Sequence, residues 1–251
     1  MKRMFKIDWL VLMVGLVALL VGYLNHGDRN IEFSGGRPQL QHQGSWQLTS
    51  KHFDRLDLDV SSADVTIKHG AKFGVSYQGT RRNRPRVTIK DGTLTVNQTA
   101  VGHFFFSVHG VNDHLIITVP QDVTINGGTV KLWSGNLVVD GVNLTNTKLA
   151  VVSGDADLNR LMVSGGQAQL NSGDFTAREL RIEGHYRVKN SSGDNEVHVA
   201  AVDGYRLQTS IGDNTVNGHD YNDQDAVEEN MTAANTLELV TQSGIMNTTI
   251  R

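Results

Sequence analysis

The chain has 251 residues with 26 Gly, 3 Pro and no Cys, and its 23 basic and 26 acidic side chains leave a net charge of −3. The lack of Cys excludes a disulfide framework, a cysteine-type zinc site and lipid attachment through Cys, and near-neutral charge argues against a dedicated nucleic-acid binder. Abundant Gly with few Pro and 6% aromatics fits neither a helical bundle nor a collagen-like chain.

Residues 9–24 form an apolar run broken only by Gly15 and Gly22. Ile7, Trp9 and Tyr23 extend it toward the length of a bilayer span, since such rings favour the headgroup level. Lys2, Arg3 and Lys6 precede it, with Asp8 the one acid. That asymmetry predicts a cytoplasmic N-terminus and an extracytoplasmic remainder. No A-x-A-like pattern of small residues succeeds the run, so an uncleaved anchor is expected over a cleaved signal peptide. The expected partner of this segment is the cell membrane. Residues 25–44 are polar, with Gly35-Gly36-Arg37-Pro38 near their end, and read as a loop-like linker.

Residues 45–133 read as an irregular β region that caps the repeats of the C-terminal half. Phe53-Asp54-Arg55-Leu56-Asp57-Leu58-Asp59-Val60 alternates, and Ser61-Ser62-Ala63-Asp64-Val65-Thr66-Ile67 resembles a degenerate repeat unit. Residues 86–90 and 93–96 flank Asp91-Gly92, the signature of a tight primed hairpin turn. His114-Leu115-Ile116-Ile117-Thr118-Val119 is a strand ended by Pro120.

Residues 134–251 repeat. A small-Gly-Asp/Asn step recurs with its Gly at positions 135, 154, 173, 193 and 212, spaced 19, 19, 20 and 19 residues apart, and Ser243-Gly244 comes after a longer gap. Two and four positions beyond the first four glycines stand Leu137, Ala156, Phe175, Asn195 and Val139, Leu158, Ala177, Val197. Seven and nine beyond stand Val142, Leu161, Leu180, Ala200 and Leu144, Val163, Ile182, Val202. Steps of two are strand periodicity, and the change of phase between four and seven demands a corner. Leu149, Ala168 and Leu207 mark a third inward place. One such turn cannot bury its own apolar row, whereas stacked turns can, each layer about 4.8 Å thick. The fold class predicted is all-β: a β-solenoid of ~19-residue turns, with a β cap before it and one transmembrane helix before that.

Together, Phe53 to Ile67, Asp91-Gly92-Thr93-Leu94-Thr95-Val96, Ile116-Ile117-Thr118-Val119-Pro120 and the Ser-Gly-Asp steps resemble a bacterial family, the putative adhesins, a β-strand-repeat domain of unknown function. The resemblance covers about residues 45–251 and extends to the single-pass anchored protein of a Gram-positive cell-envelope-stress operon. It implies adhesion or an envelope accessory role, and it carries no catalytic residues. Longer inserts at 101–112 and 218–235 depart from the family pattern.

Four features are weighed as sites. Asp155, Asp174, Asp194 and Asp213 would form a ladder whose neighbouring carboxylates repel by about 0.9 kcal/mol in water at ~4.8 Å. Calcium would relieve that, but the Gly-Gly-x-Gly part of a calcium repeat is missing. Asn136 serves the same place without charge, so backbone N–H acceptance at a turn is the expectation. The acidic insert at 220–229 lacks the Gly and bidentate Glu of a calcium loop. Arg81, Arg82, Arg84 and Arg86 form a basic cluster suited to anionic lipid or wall polymer. Phe104, Phe105 and Phe106 cannot all face one side of a strand, so at least one packs elsewhere or meets a partner. His42, His52 and His69 have no ligand spacing, no metal or cofactor is called for, and no nucleophile motif or phosphate loop is present. The expected role is a non-enzymatic, membrane-anchored extracytoplasmic scaffold that meets wall polymer, anionic lipid or an envelope protein. A carbohydrate-active enzyme on a β-helix and a purely structural spacer are the alternatives.

Overall fold

The computed structural model describes residues 31–34, 37–40, 43–99, 113–221 and 226–250, together with Met13 and Gly15. Met13 and Gly15 are helical and every other assigned element is a strand. The apolar run 9–24 otherwise lies outside the described residues, as do Phe104, Phe105 and Phe106. Among the described residues no helix is long and apolar enough to cross a membrane.

The chain divides into two compact units, residues 1–42 with 103–111, and residues 43–102 with 112–251. In the first, Ile31–Ser34 and Arg37–Leu40 pair as an antiparallel hairpin. The loop expected over 25–44 is thus corrected: Ile31-Glu32-Phe33-Ser34 has strand alternation, and the intervening Gly35-Gly36 is a turn signal.

Among the described residues the second unit is a parallel stack of eight layers of two strands each, and from the second layer on the two strands meet at a Ser/Gly corner. In spatial order the first layer is Thr93–Gln98 with Asp113–Val119, and the second is Arg55–Val60 with Ala63–His69. The third is Ile125–Leu132 with Leu137–Asp140, and the fourth Leu144–Ser153 with Ala156–Asn159. The fifth holds Gln167–Ser172 and the start of Phe175–Glu183, and the sixth holds His185–Ser192 and Asn195–Ala201. The seventh is Thr236–Ser243 with Met246–Ile250, and the eighth Gly204–Ile211 with Asn214–Val216. A third, short side runs through Met162–Ser164, which pairs with both Leu144–Ser153 and Phe175–Glu183.

Sequence order and spatial order differ at both ends. The segment 55–69 lies inside 93–119, and the C-terminal segment 236–250 slots between layers made by 185–201 and 204–216. The equal spacing of Gly193 and Gly212 predicts neighbouring layers, and this is corrected: the column of corner glycines runs Gly173, Gly193, Gly244, Gly212. The long gap before Gly244 is the excursion that lets the chain lay down the outer layer first. Parallel strands need a crossover rather than a tight turn, and the excursion provides it.

The inward rows meet along a common interior. Leu158 and Val163 are fully buried and Leu161 nearly so, as are Val139 and Ala177, the register partners of Leu158. Burying each such aliphatic side chain contributes roughly 1.5–3 kcal/mol. One pair of expected inward residues is corrected. Phe175–Glu183 bulges between Ala177 and Leu180, with Glu179 at φ +54°, whereas its neighbour does not. Val199 therefore takes the inward place, Ala200 is exposed and Val202 is only partly buried. Toward the C-terminal end the interior turns polar, with Asn190, Asn195, Thr209, Asn214, Thr241 and Thr248 all buried. Asn195 donates to Thr241 Oγ1 at 2.8 Å and accepts from Asn190 Nδ2 at 3.2 Å. Asn190 Oδ1, Asn214 Oδ1, Thr248 Oγ1 and the Tyr186 hydroxyl lack a partner.

Antiparallel strands close the first end. Arg86–Lys90 pairs with Thr93–Gln98 through the Asp91-Gly92 turn, both residues at positive φ as a type I′ turn requires. Gly74–Thr80 pairs with Asp113–Val119, and Gln43–Thr49 with Gly74–Thr80. These strands cover the parallel edge of the first layer and become the outermost strands there.

Candidate functional site

The acidic step is a backbone device. Asp64 Oδ1 accepts the N–H of Asn136 at 2.8 Å, and Asn136 Oδ1 accepts that of Asp155 at 2.9 Å. Asp155, Asp174 and Asp194 each accept in turn from the corresponding residue of the next layer, at 2.8–2.9 Å, ending on Ile245. The expected N–H acceptor role is therefore present, with the donor in the adjoining layer instead of the same turn. Ile245 has no side-chain acceptor, so the ladder stops there and Asp213 stands apart on the outermost layer. Each N–H held by a carboxylate oxygen offsets part of the repulsion between neighbours.

Around the end of that ladder lies a shallow depression of about 220 Å³ lined by Asp174, Thr176, Asp194, Glu196, Ile245 and Asn247, among others. Its two ladder aspartates are already committed to backbone donors. Nearby, Asp157 is partly buried, and burial raises its carboxyl above the usual range, with Asp155 adding to the shift and Arg178 and the Thr176 hydroxyl opposing it. A second depression, about 470 Å³, is formed by residues 69–71 and 120–122 at the opposite region of the same unit. Among the described residues no group of three or more His, Asp or Glu is placed to hold a metal ion.

The basic cluster sits in the loop between Gly74–Thr80 and Arg86–Lys90, beyond the first layer. Arg81, Arg82, Arg84 and Arg86 are all exposed, while Pro85 between them is buried and pins the loop. Arg84 lies over the Trp46 ring at 5.9 Å, a cation–π contact. Asn83 donates to the buried Asp113 at 2.7 Å, and Gln98 donates to the Asn83 carbonyl at 3.0 Å. The loop is thus anchored at Asn83 and Pro85, with Arg84 also held against Trp46. His52 and His69 are not brought together: the first packs edge-on to Phe73 and the second bonds the Val119 carbonyl.

The opposite end is acidic. Asp203, Asp213, Asp220, Glu228 and Glu229 are exposed on or beside the outermost layer. Arg206 reaches Glu228 at 3.9 Å, and Thr215 donates to Asp220 at 2.7 Å. The Tyr205 hydroxyl is pushed up to about 12, by burial first and then by its bond to Glu229. Sequence reasoning weighs 220–229 as a calcium loop against a solvated loop and does not connect it to an end of the stack. The chain-order swap conceals that position.

One exposed aromatic escapes the sequence reading. Trp133 comes directly after Ile125–Leu132, is 49% exposed, donates Nε1–H to Asp59 at 2.8 Å and lies 3.6 Å beneath the Lys131 ammonium. Its place immediately before the Ser134-Gly135 corner is the signal that would have marked it as outward-facing.

Against known proteins, the family Toastrack DUF4097 matches residues 53–137 and again 121–250. No curated protein matches. Among solved structures, a putative cell adhesion protein from Clostridium sporogenes ATCC 15579 is similar at TM-score 0.51 and 14% identity, over 84% of this chain and all of that one. A putative adhesin from Bacteroides fragilis NCTC 9343 is similar at TM-score 0.33 and 13% identity, over 82% of this chain and 97% of that one. Identity this low speaks to fold alone. The two family matches together span residues 53–250, most of the stack, and the chain belongs to the Toastrack DUF4097 family of β-repeat proteins.

Proposed function

We propose that this protein is a membrane-anchored, extracytoplasmic scaffold that does no chemistry and presents the outside of a stiff β-stack to partners in the cell envelope. The observation that carries the reading is the division of labour within each layer. Inward rows are spent on an apolar interior, the acidic step is spent on the backbone ladder, and the two ends expose Arg81, Arg84 and Arg86 on one side and Asp213, Glu228 and Glu229 on the other. Rigid regular scaffolds with variable loops at their margins are suited to recognition. The segment 9–24 supplies the anchor, with the basic residues before it keeping the N-terminus inside. The neighbour described as a putative cell adhesion protein favours adhesion or an accessory envelope role over catalysis.

Anchoring is tested by fractionation of expressing cells and by protease added to protoplasts. The proposal requires the chain to travel with membranes and the stack to be cleaved from outside; a soluble chain, or one protected from protease, contradicts it. The scaffold role is tested by crosslinking the anchored chain in intact cells and identifying what is captured. Failure to bind wall polymer, anionic vesicles or any envelope protein contradicts that role, and turnover of a polysaccharide would move the assignment to an enzyme.

A further inference from the structure

The two ends of the stack carry opposite charge. From Arg81 to Lys90 the first end holds no acid, and Arg81, Arg84, Arg86 and Lys90 are exposed there. The last end holds Asp203, Asp213, Asp220, Glu228 and Glu229, with Arg206 as the one basic residue of the outermost layer, paired to Glu228. Both sets belong to the same compact unit. They sit at opposite termini of the spatial order of layers, about seven spacings of ~4.8 Å apart, well beyond a Debye length of about 8 Å at physiological salt. Within one copy they cannot neutralise each other.

Among the described residues both ends also leave an outermost strand edge without a partner. At the last end, residues 227–229 pair with only 205–207 and residues 219–220 with only 215–216. Among the described residues, 208–213 has no strand partner on its outer side, and Ile211 there is 70% exposed. At the first end, Arg86–Lys90 has a described partner only in Thr93–Gln98. An open edge is a template for another chain unless something covers it, and arginines along one edge facing acids along another select the mate.

We infer that copies of this chain associate head to tail, the basic Arg81–Lys90 end of one against the acidic Asp213–Glu229 end of the next. This rests on the scaffold reading and names its partner as a second copy. The contact is heterologous: the surfaces that meet are different, so each dimer retains one basic and one acidic end and the assembly extends along the stack axis. Because it is led by exposed charge, the association weakens with salt.

The native chain has no Cys, so single reporters are clean. Full-length Thr88→Cys marks the basic end and full-length His219→Cys the acidic end; both positions lie at the surface of their ends and leave the charges in place. The two variants, each in detergent micelles, are mixed and oxidised with a short crosslinker. The expected result is a mixed dimer about 5-fold or more above either homodimer in low salt, falling toward the random ratio near 0.5 M salt. Arg84→Glu with Arg86→Glu in the Thr88→Cys copy abolishes the mixed dimer, and Asp213→Lys with Glu229→Lys in the His219→Cys copy restores it. Rescue excludes misfolding as the cause of the loss. Random or homodimer-dominated products, or a mixed dimer indifferent to charge reversal, overturn the inference. So does charge reversal that abolishes wall-polymer or anionic-vesicle binding while leaving crosslinking unchanged. Capture of another envelope partner without self-contact overturns it too, and leaves the scaffold reading standing.

Discussion

Gly154→Ala isolates the constraint that packs one layer onto the next. Gly154 has φ +135°, where side-chain-bearing residues are strained by about 1–3 kcal/mol. A Cβ there would stand 2.2 Å from the Gly135 carbonyl oxygen, backbone against backbone, with no flexible side chain to yield. Reaching ordinary contact requires the layers to part by about 1 Å at that corner. Three bonds span it: Gly135 N–H to Ser153 O at 3.0 Å, Leu137 N–H to Asp155 O at 2.8 Å and Asp155 N–H to Asn136 Oδ1 at 2.9 Å. Losing one or two of them, at about 0.5–1.5 kcal/mol each, on top of the strain brings the total to about 1.5–6 kcal/mol. Gly218→Ala is the matched control. Its φ is +80° but nothing lies within 4 Å of the added Cβ, so only the conformational cost of about 1–2 kcal/mol applies. Urea unfolding of both full-length variants in micelles, monitored by circular dichroism, measures the difference. If Gly154→Ala loses no more stability than Gly218→Ala, the corner glycines are not held by interlayer contact and the argument fails.

Leu158→Ala removes a fully buried side chain whose layer neighbours include only Ala177 on one side, so the gap cannot close, and a loss of about 3–5 kcal/mol is expected in the same unfolding assay; a loss under about 1 kcal/mol would contradict inward burial. Thr248→Val replaces a buried hydroxyl that has no partner with a methyl of the same shape, and should raise stability by about 1 kcal/mol rather than lower it. The carboxyl of Asp157 is raised by burial, so the folded state takes up its proton more readily than the unfolded one. Its contribution is most favourable below the free value of 3.8 and is lost as pH rises through the folded value. The melting temperature of the native chain should therefore fall relative to Asp157→Asn as pH climbs from about 3.8 toward neutrality. A difference that is flat with pH, or of opposite slope, refutes the assignment of burial as the leading cause.

The layered architecture is legible because its signal is local and repeated. Apolar residues two and four beyond each corner Gly can face one interior, and the structure puts Leu137, Ala156, Phe175 and their successors there. The Asp91-Gly92 hairpin is legible for the same reason, since a turn that needs positive φ twice declares itself in two residues. Layer order is not legible. Gly193 and Gly212 have the spacing of neighbours, yet the competition between the strand 204–211 and the strand 236–243 for the same edge is decided by pairing that leaves no mark in spacing. The ladder is half legible: an acid or Asn at each corner announces an N–H acceptor, but whether the donor lies in the same turn or the next depends on how the layers stack. The inward place of Val199 over Ala200 arises because Asn195–Ala201 runs straight past the corner that Gly141, Arg160 and Glu179 make at positive φ six places beyond their glycines. At the ends, the charges are plain in the sequence, while their separation to opposite termini comes only from the order of layers.

That order is the account's central claim, and pairs of introduced cysteines test it directly. Ser192 and Ser243 are register partners in adjacent layers, so their Cα atoms lie about 4.8 Å apart, within reach of a disulfide. Ile211 is the register partner of Ser243 on its far side, about 9.6 Å from Ser192 and out of reach. Mild oxidation of the full-length chain should close Ser192→Cys/Ser243→Cys rapidly and leave Ser192→Cys/Ile211→Cys reduced. Closure of the second pair and not the first would mean that the chain piles up in simple sequence order, and the interposed C-terminal layer would be wrong.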